Sequence, residues 1–138
     1  MTGETANGYV GLVLVSHSQE LANGLAELAR QVAGPDVEIV AAAGGPNGSL
    51  GTDGARVLEA LRNGAQGGGA VVLMDLGSSV LSVKAAIAEL DPEELRHLRV
   101  VDAPFVEGTI AAAVTASTGA SAAEVARAAA DARDVAKL

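Results

Sequence analysis

Short apolar runs alternate with helical patterns along most of the chain. Consecutive apolar positions, typical of strands covered on both faces, occur in residues 10–16, 37–42, 70–75 and 98–102. Apolar residues at three- and four-residue spacing follow the first three runs, at Leu21, Leu25, Leu28 and Val32, at Val57, Leu58 and Leu61, and at Val83, Ile87 and Leu90. This alternation predicts an α/β fold with an open, mainly parallel sheet of four strands, flanked by helices on both faces.

Cap and turn residues support the boundaries of these segments. Glycines at residues 67–69 separate the second helical pattern from the third strand. The tetrapeptide Asp-Pro-Glu-Glu that begins at Asp91 has the N-cap, proline and acidic residues typical of a helix start. A capping box, Ser-Ala-Ala-Glu at residues 121–124, predicts a last helix that ends near Val135, after a helix over residues 106–117.

The composition indicates a globular chain without cysteine or metal chemistry. The 138 residues are 49% hydrophobic, and we expect residues 9–138 to form a single domain after a flexible tail at residues 1–8. The chain has no cysteine, which excludes disulfides, thiolate metal sites and cysteine nucleophiles. Its two histidines are far apart in sequence, so no metal site is predicted.

The charge and the N-terminal sequence limit the classes of partner. The chain carries 17 acidic and 9 basic residues, and its net charge of -8 would repel nucleic acid. The first residues lack the basic and apolar regions of a signal peptide, and the apolar runs are too short to cross a bilayer. We therefore expect a cytoplasmic protein that binds neither nucleic acid nor a membrane.

Residues suited to phosphate chemistry gather where the predicted strands end. Ligands of open parallel sheets bind beyond the carboxyl ends of the strands. His17 follows the first strand, and Asp75 ends the third. Small and hydroxyl residues surround these two positions or follow the second strand: Ser16, Ser18, Gly44, Gly45, Gly51, Thr52, Gly77, Ser78 and Ser79. We expect all of them to converge at one edge of the sheet.

This set of residues suits the transfer of a phosphoryl group to histidine. A neutral imidazole nitrogen is a nucleophile when the other ring nitrogen is held as a donor, and Asp75 is the candidate that holds it. A contact between Asp75 and Nδ1 of His17 would leave Nε2 free. Backbone N–H groups at helix starts, together with the hydroxyls of Thr52, Ser78 and Ser79, can then bind the phosphoryl oxygens.

Each of these residues also has a structural interpretation. A lone histidine often lies at the surface, and Asp75, Ser78 and Ser79 are also suited to capping the next helix. His97 is interpreted as an exposed helix residue, and Asp102, which precedes Ala-Pro, as a turn residue. The glycine-rich stretch after the second strand lacks the Gly-Lys-Ser/Thr ending of a Walker loop, and the chain has no G-x-S-x-G motif of a serine hydrolase.

Five segments, in order over residues 10–135, resemble a known family. They read GLVLVSHSQELANGLAELARQV, AAAGG, GTDGARVLEAL, VVLMDLGSSVLSVKAAIAEL and DAPFVEGTIAAAVTASTGAS. They look like the phosphotransfer subunit of dihydroxyacetone kinase, DhaM, whose core domain is similar to mannose-type enzyme IIA of the phosphotransferase system. The resemblance implies the mannose-IIA fold, a central and mainly parallel sheet between helices, and a homodimer.

The resemblance also implies a phosphohistidine intermediate. His17 stands where the family's phosphorylated histidine stands, Asp75 matches the aspartate that supports it, and residues 77–79 match the adjacent loop. The glycine-rich loop and its GTD motif match Gly44, Gly45, Gly51 and Thr52. His17 would accept a phosphoryl group on Nε2 from phospho-HPr and pass it to ADP on the DhaL subunit, and the ATP formed would phosphorylate dihydroxyacetone on DhaK. The resemblance implies no permanently bound cofactor, only the transient phosphoryl group.

Other functions remain open from the sequence. Mannose-type IIA domains typically read D-x-x-G-G-S-P after the third strand, whereas this chain reads DLGSSVLS, which favours the dihydroxyacetone kinase branch. A mannose-type IIA component would instead pass the group to a IIB domain of a sugar permease. A regulatory module would be phosphorylated without acting on ADP, and a structural interaction domain would not be phosphorylated.

Some members of the family carry fused HPr-like and enzyme I-like domains. For a chain ending at Leu138 we expect HPr and enzyme I to be separate proteins.

Overall fold

One parallel sheet organises residues 8–138, the part of the chain that the computed structural model describes. Within it, four strands lie in the order β2-β1-β3-β4 and every pair is parallel. The strands are β1, Gly11–Ser16; β2, Ile39–Ala43; β3, Ala70–Met74; and β4, Leu98–Val100. The predicted flexible tail covers residues 1–8, of which residues 1–7 lie outside the described residues.

Helices connect the strands, as the alternating pattern predicts. They are α1, Gln19–Ala33; α2, Gly54–Gly64; α3, Gly77–Ile87; α4, Pro92–Leu95; α5, Phe105–Ser117; and α6, Ala122–Asp131, with 3₁₀ turns at Pro46–Gly48 and Ala132–Asp134. Capping boxes at Asp91 and Ser121 begin α4 and α6, as expected from the sequence. No helix within residues 8–138 is long and apolar enough to span a bilayer.

The two faces of the sheet are covered by different helices. Alternate residues of the central strands point to opposite faces. Leu12, Leu14 and Leu73 pack with α1, α5 and α6 on one face. Val13, Val15 and Val72 pack with α2 and α3 on the other, so the prediction of an α/β sheet flanked by helices on both faces is confirmed.

Helix α1 buries a different face from the one that its large apolar residues indicate. Leu25 is buried, but Leu21, Leu28 and Val32 are 44–47% exposed. The buried positions are mostly alanines: Ala22, Ala26, Ala29 and Ala33. Their single methyl groups allow α1 to approach the sheet and α5 closely, which longer side chains on that face would prevent.

Several predicted boundaries are wrong by a few residues. β2 begins at Ile39, two residues later than predicted, and the edge strand β4 ends at Val100, two residues earlier. Leu90 lies after the end of α3, although its side chain is buried. The last α-helix ends at Asp131 and continues only as a 3₁₀ turn. Backbone hydrogen bonding decides such ends, and apolar spacing does not report it.

The strand order places a crevice between β1 and β3. From β1 the chain passes through α1 to β2 on one side, and from β2 it crosses through α2 to β3 on the other. The chain leaves β3 through α3, towards β4 on that other side, so the connections that leave the carboxyl ends of β1 and β3 diverge, and right-handed crossovers place α1 and α3 on opposite faces. The residues that follow these two strands, His17 and Asp75, therefore flank this crevice.

Candidate functional site

His17 lies in the two-residue connection between β1 and α1. Ser18 is the N-cap of α1, and its Oγ accepts a hydrogen bond from the Leu21 N–H at 3.2 Å. Asp75 directly follows β3, where its N–H donates to the Val15 carbonyl at 3.1 Å. The neighbouring strand ends thus bring the histidine and the aspartate together.

The Asp75 carboxylate is the centre of the hydrogen-bond network. Its Oδ1 lies 3.0 Å from Nδ1 of His17 and accepts from the Ser79 hydroxyl and the Leu76 N–H, each at 2.6 Å. Its Oδ2 accepts from the Ser16 hydroxyl at 2.7 Å and from the His17 N–H at 3.1 Å. These contacts hold a side chain that is only 7% exposed.

The hydrogen bonds keep Asp75 ionised in spite of its burial. Burial raises the pKa of the Asp75 carboxyl, but the hydroxyls of Ser79 and Ser16 and the N–H groups of Leu76 and His17 outweigh that effect and lower the pKa to about 2. Asp75 is therefore a carboxylate throughout the physiological pH range and can only accept hydrogen bonds.

We expect Asp75 to stabilise the fold above about pH 4 and to lose this contribution as the pH falls towards 2. The unfolded chain, with an ordinary Asp pKa of about 3.9, binds protons first, so acid favours unfolding in this window. The contribution is about 1–2 kcal/mol after allowance for solvent screening at the sheet edge. Urea denaturation near pH 6 and near pH 3 measures it: wild type should lose more unfolding free energy than Asp75→Asn, and equal losses would contradict the assignment.

The arrangement around His17 leaves one ring nitrogen available for chemistry. Because Asp75 can only accept, Nδ1 of His17 carries the ring hydrogen, and Nε2 carries none and keeps a lone pair that can accept a hydrogen bond or attack phosphorus. The Ser78 hydroxyl contacts this Nε2. The imidazole is 26% exposed, so a partner can reach it at the surface.

The N-terminus of α3 lies beside the imidazole. Its N-cap is Leu76, which makes no side-chain cap hydrogen bond, unlike the N-caps Ser18 and Asp53 of α1 and α2. The first-turn N–H groups of Gly77 and Ser78 have no carbonyl within the helix to bind. Such N–H groups, and the positive end of the helix dipole, favour an anion at this position.

The glycine-rich segment supports the backbone of the site and makes no contact with the imidazole. The N–H of Gly44 donates to the Ser16 carbonyl at 3.1 Å, and the N–H of Gly51 donates to the His17 carbonyl at 3.0 Å. Both glycines have positive φ angles, which other residues rarely adopt. The sequence also placed Gly45 and Thr52 in the site; in the structure the Gly45 N–H donates to the Ser49 carbonyl, and the Thr52 hydroxyl contacts that of Ser82.

The structure also places the remaining residues that are relevant to the site. The Ser18 N–H donates to Ser16 Oγ, so Ser18 supports the network from the α1 side. Asp102 is exposed, and its side chain forms an ion pair with Arg133. Sequence reasoning missed Ser82, although its position four residues after Ser78 places it on the same side of α3.

Within residues 8–138, no group of three or more His, Asp or Glu side chains is placed to hold a metal ion.

Comparison with known families identifies the class of protein. Residues 11–126 match the family described as the PTS system fructose IIA component, of the mannose IIA type. The chain therefore belongs to this family of phosphotransferase-system IIA components, and its curated relatives place it among the DhaM subunits, as the sequence resemblance indicated.

The relatives differ in length. DhaM of Escherichia coli (strain K12), a PEP-dependent dihydroxyacetone kinase phosphoryl donor subunit, is 44% identical over 80% of this chain, but the match covers only 24% of that protein. A subunit of the same description from Listeria innocua is 35% identical over 76% of this chain and 84% of its own length. The chain thus spans about a quarter of the first relatives and most of the shorter one.

Solved structures share the fold. The crystal structure of a protein of unknown function superposes with a TM-score of 0.76 and 30% identity, and covers 89% of this chain and 94% of its own. A sigma-54 interaction domain protein from Enterococcus faecalis superposes with a TM-score of 0.62 at 18% identity, over 88% of this chain and 87% of its own. The second likeness supports the fold alone.

Proposed function

We propose that the protein is a phosphohistidine carrier of a PEP-dependent dihydroxyacetone kinase. His17 takes a phosphoryl group from phospho-HPr and passes it to ADP on a DhaL subunit, and the ATP formed phosphorylates dihydroxyacetone on DhaK. The observation that carries the proposal is the placement of His17: a carboxylate holds Nδ1, and Nε2 faces an uncapped helix N-terminus at the surface. The names of the curated relatives support the choice of kinase.

Phosphoryl acceptance needs little from the protein beyond positioning and charge. The lone pair of Nε2 attacks the phosphorus of the donor phosphohistidine. The N–P bond of the donor breaks, and its electron pair returns to the donor ring nitrogen. The hydrogen on Nδ1 stays in place, and the Asp75 carboxylate, 3.0 Å away, stabilises the positive charge that develops on the ring.

The groups around Nε2 suit the incoming phosphoryl oxygens. The Ser78 hydroxyl contacts Nε2 in the resting site, so it must turn away when the phosphoryl group arrives, and it can then donate to a phosphoryl oxygen. The N–H groups of Gly77 and Ser78 add two further donors at the start of α3. The two N–H groups are fixed by the helix and need no rearrangement during the reaction.

Transfer to ADP reverses the chemistry. An oxygen of the β-phosphate of ADP attacks the phosphorus, the bond to Nε2 breaks, and its electron pair returns to the ring. His17 is then neutral again, with its hydrogen still on Nδ1. The phosphoryl group is thus the only group that His17 carries, and it is carried transiently.

We also expect a cytoplasmic homodimer, on the strength of the family resemblance. A mannose-type IIA component that serves a IIB domain is the second candidate, because the family description itself names a fructose IIA component. The phosphoryl acceptor distinguishes the two functions.

The experiment that tests the proposal follows the phosphoryl group by intact-mass spectrometry. We expect phosphoenolpyruvate, enzyme I and HPr to add a single acid-labile phosphoryl group to the protein, because His17 offers one free ring nitrogen. DhaL with ADP should then remove it and form ATP. Discharge by a IIB domain but not by DhaL–ADP would favour the sugar-transport function. The absence of any added mass, with HPr itself phosphorylated, would reject both.

A further inference from the structure

We propose that Thr52 and Ser82 form a positioning pair that holds helix α3 and the Ser78 hydroxyl against His17. The proposal rests on the proposed function for its effect on rate, but its geometry is independent of the identity of the donor. Neither residue contacts the imidazole, so both act through other residues.

The contact joins two elements that flank the site. Thr52 Oγ1 lies 2.5 Å from Ser82 Oγ, and both residues are half-buried. Thr52 ends the glycine-rich loop, defined here as residues 44–52, whereas Ser82 lies on the second turn of α3. A single hydroxyl pair therefore connects the loop after β2 to the helix after β3.

The pair completes a closed ring of contacts around His17. The Gly51 N–H holds the His17 carbonyl at 3.0 Å, and Thr52 is the next residue in the chain. Ser82 lies one helical turn after Ser78, and the Ser78 hydroxyl contacts Nε2. The backbone and the side chain of the same histidine are thus held through one continuous path.

Hydrogen bonds, and not apolar burial, hold the loop in this position, among them those of the Gly44 and Gly51 N–H groups to the Ser16 and His17 carbonyls. Residues 46–50 are all exposed, and Leu50 is 80% exposed, so apolar burial does not fix the loop. Gly44, Gly48 and Gly51 have positive φ angles, and glycine loses more conformational entropy than other residues when it is ordered. Polar contacts near Thr52 must therefore supply the order that burial does not.

This closed ring of contacts matters for the reaction because the Ser78 hydroxyl acts both before and after phosphoryl transfer. Its hydroxyl occupies Nε2 before transfer and must stay within reach of the phosphoryl oxygens afterwards. If α3 moved relative to His17, the Ser78 hydroxyl and the N–H groups at the start of α3 would be less well placed for the phosphoryl oxygens. The Thr52–Ser82 contact keeps that distance fixed.

The test compares variants that remove the contact with one that keeps it. Thr52→Val preserves shape and removes the hydroxyl, Ser82→Ala removes the partner, and Thr52→Ser restores a hydroxyl. We expect the first two to slow phosphoryl acceptance from phospho-HPr about tenfold, the change that corresponds to about 1.4 kcal/mol, and Thr52→Ser to restore most of the rate. Ser117→Ala, which removes a half-buried hydroxyl at the end of α5, away from Thr52 and Ser82 in sequence, is the matched control.

Two further readouts separate positioning from general stability. The double variant Thr52→Val/Ser82→Ala should be no slower than either single variant, because both remove the same contact. In the ¹⁵N NMR spectrum of the His17 ring, the Nε2 signal should shift in the slow variants because the Ser78 contact to Nε2 loosens, whereas Asp75 should keep the Nδ1–H tautomer in all of them. These ring signals need no donor protein, so they test the pair even if phospho-HPr fails to phosphorylate wild type, a result that would count against the proposed function alone. The proposal would be overturned if the His17 ring signals were unchanged in the variants. It would also be overturned if the rate loss of the double variant were the product of the two single losses.

Discussion

His17→Ala should accept no phosphoryl group and should remain folded. The substitution removes the imidazole at the carboxyl end of β1, so incubation with phosphoenolpyruvate, enzyme I and HPr should leave its mass unchanged. The fold should survive because Asp75 keeps its other donors, the hydroxyls of Ser16 and Ser79 and two backbone N–H groups. Intact-mass spectrometry and thermal unfolding measure the two expectations on the same sample.

His97→Ala is the matched control, because it removes the other histidine of the chain. His97 precedes β4 and so lies at the opposite, amino edge of the parallel sheet, where its Nε2 is 3.4 Å from a Glu93 oxygen. This variant should be phosphorylated like wild type. His17→Gln serves as a second test if the alanine variant is unstable, because glutamine keeps a polar side chain without a nucleophilic nitrogen. An acid-labile phosphoryl group on a folded His17 variant would move the site to another residue.

The fold was predictable because several levels of the sequence agree. Apolar runs such as residues 70–75 cannot face water on either side, which requires helices on both faces of the sheet. The turn and cap signals at Asp91 and Ser121 act locally, so they can be recognised without the tertiary structure. What spacing could not reveal is the buried face of α1, because alanine carries almost no hydrophobic signal and yet permits the closest packing.

The site was predictable only in part, for a physical reason. Strand ends of a parallel sheet meet at one edge whatever the side chains are, so His17 and Asp75 had to be neighbours once β1 and β3 were adjacent. Loop conformation follows no such rule. Thr52 was expected among the phosphate ligands; in the structure its hydroxyl contacts Ser82, and the residue before it, Gly51, has a positive φ angle that apolar spacing does not report.

Asp75→Asn should slow phosphoryl acceptance about 100-fold, the loss expected when a charge-assisted hydrogen bond that strengthens in the transition state is removed. Two effects act in the same direction. The neutral amide no longer stabilises the positive ring that forms when Nε2 attacks phosphorus. The amide NH₂ also lacks an acceptor. In one orientation it faces the His17 N–H and in the other the Leu76 N–H, and both of these groups can only donate, so neither orientation satisfies the network. If the NH₂ faces Nδ1, the ring hydrogen moves to Nε2 and the nucleophile is blocked.

A time course of added mass, at fixed phospho-HPr concentration, measures this loss of rate. Asp102→Asn is the matched control, because Asp102 follows the neighbouring strand β4 and its side chain is 96% exposed. That variant should keep the wild-type rate, whereas Asp75→Asn should reach the same final mass slowly, since the nucleophile itself is present. Equal rates for the two variants would mean that Asp75 only shapes the crevice. A slow Asp75→Asn whose ring keeps the Nδ1–H tautomer would assign the loss to the missing charge, and a changed tautomer would assign it to the orientation of His17.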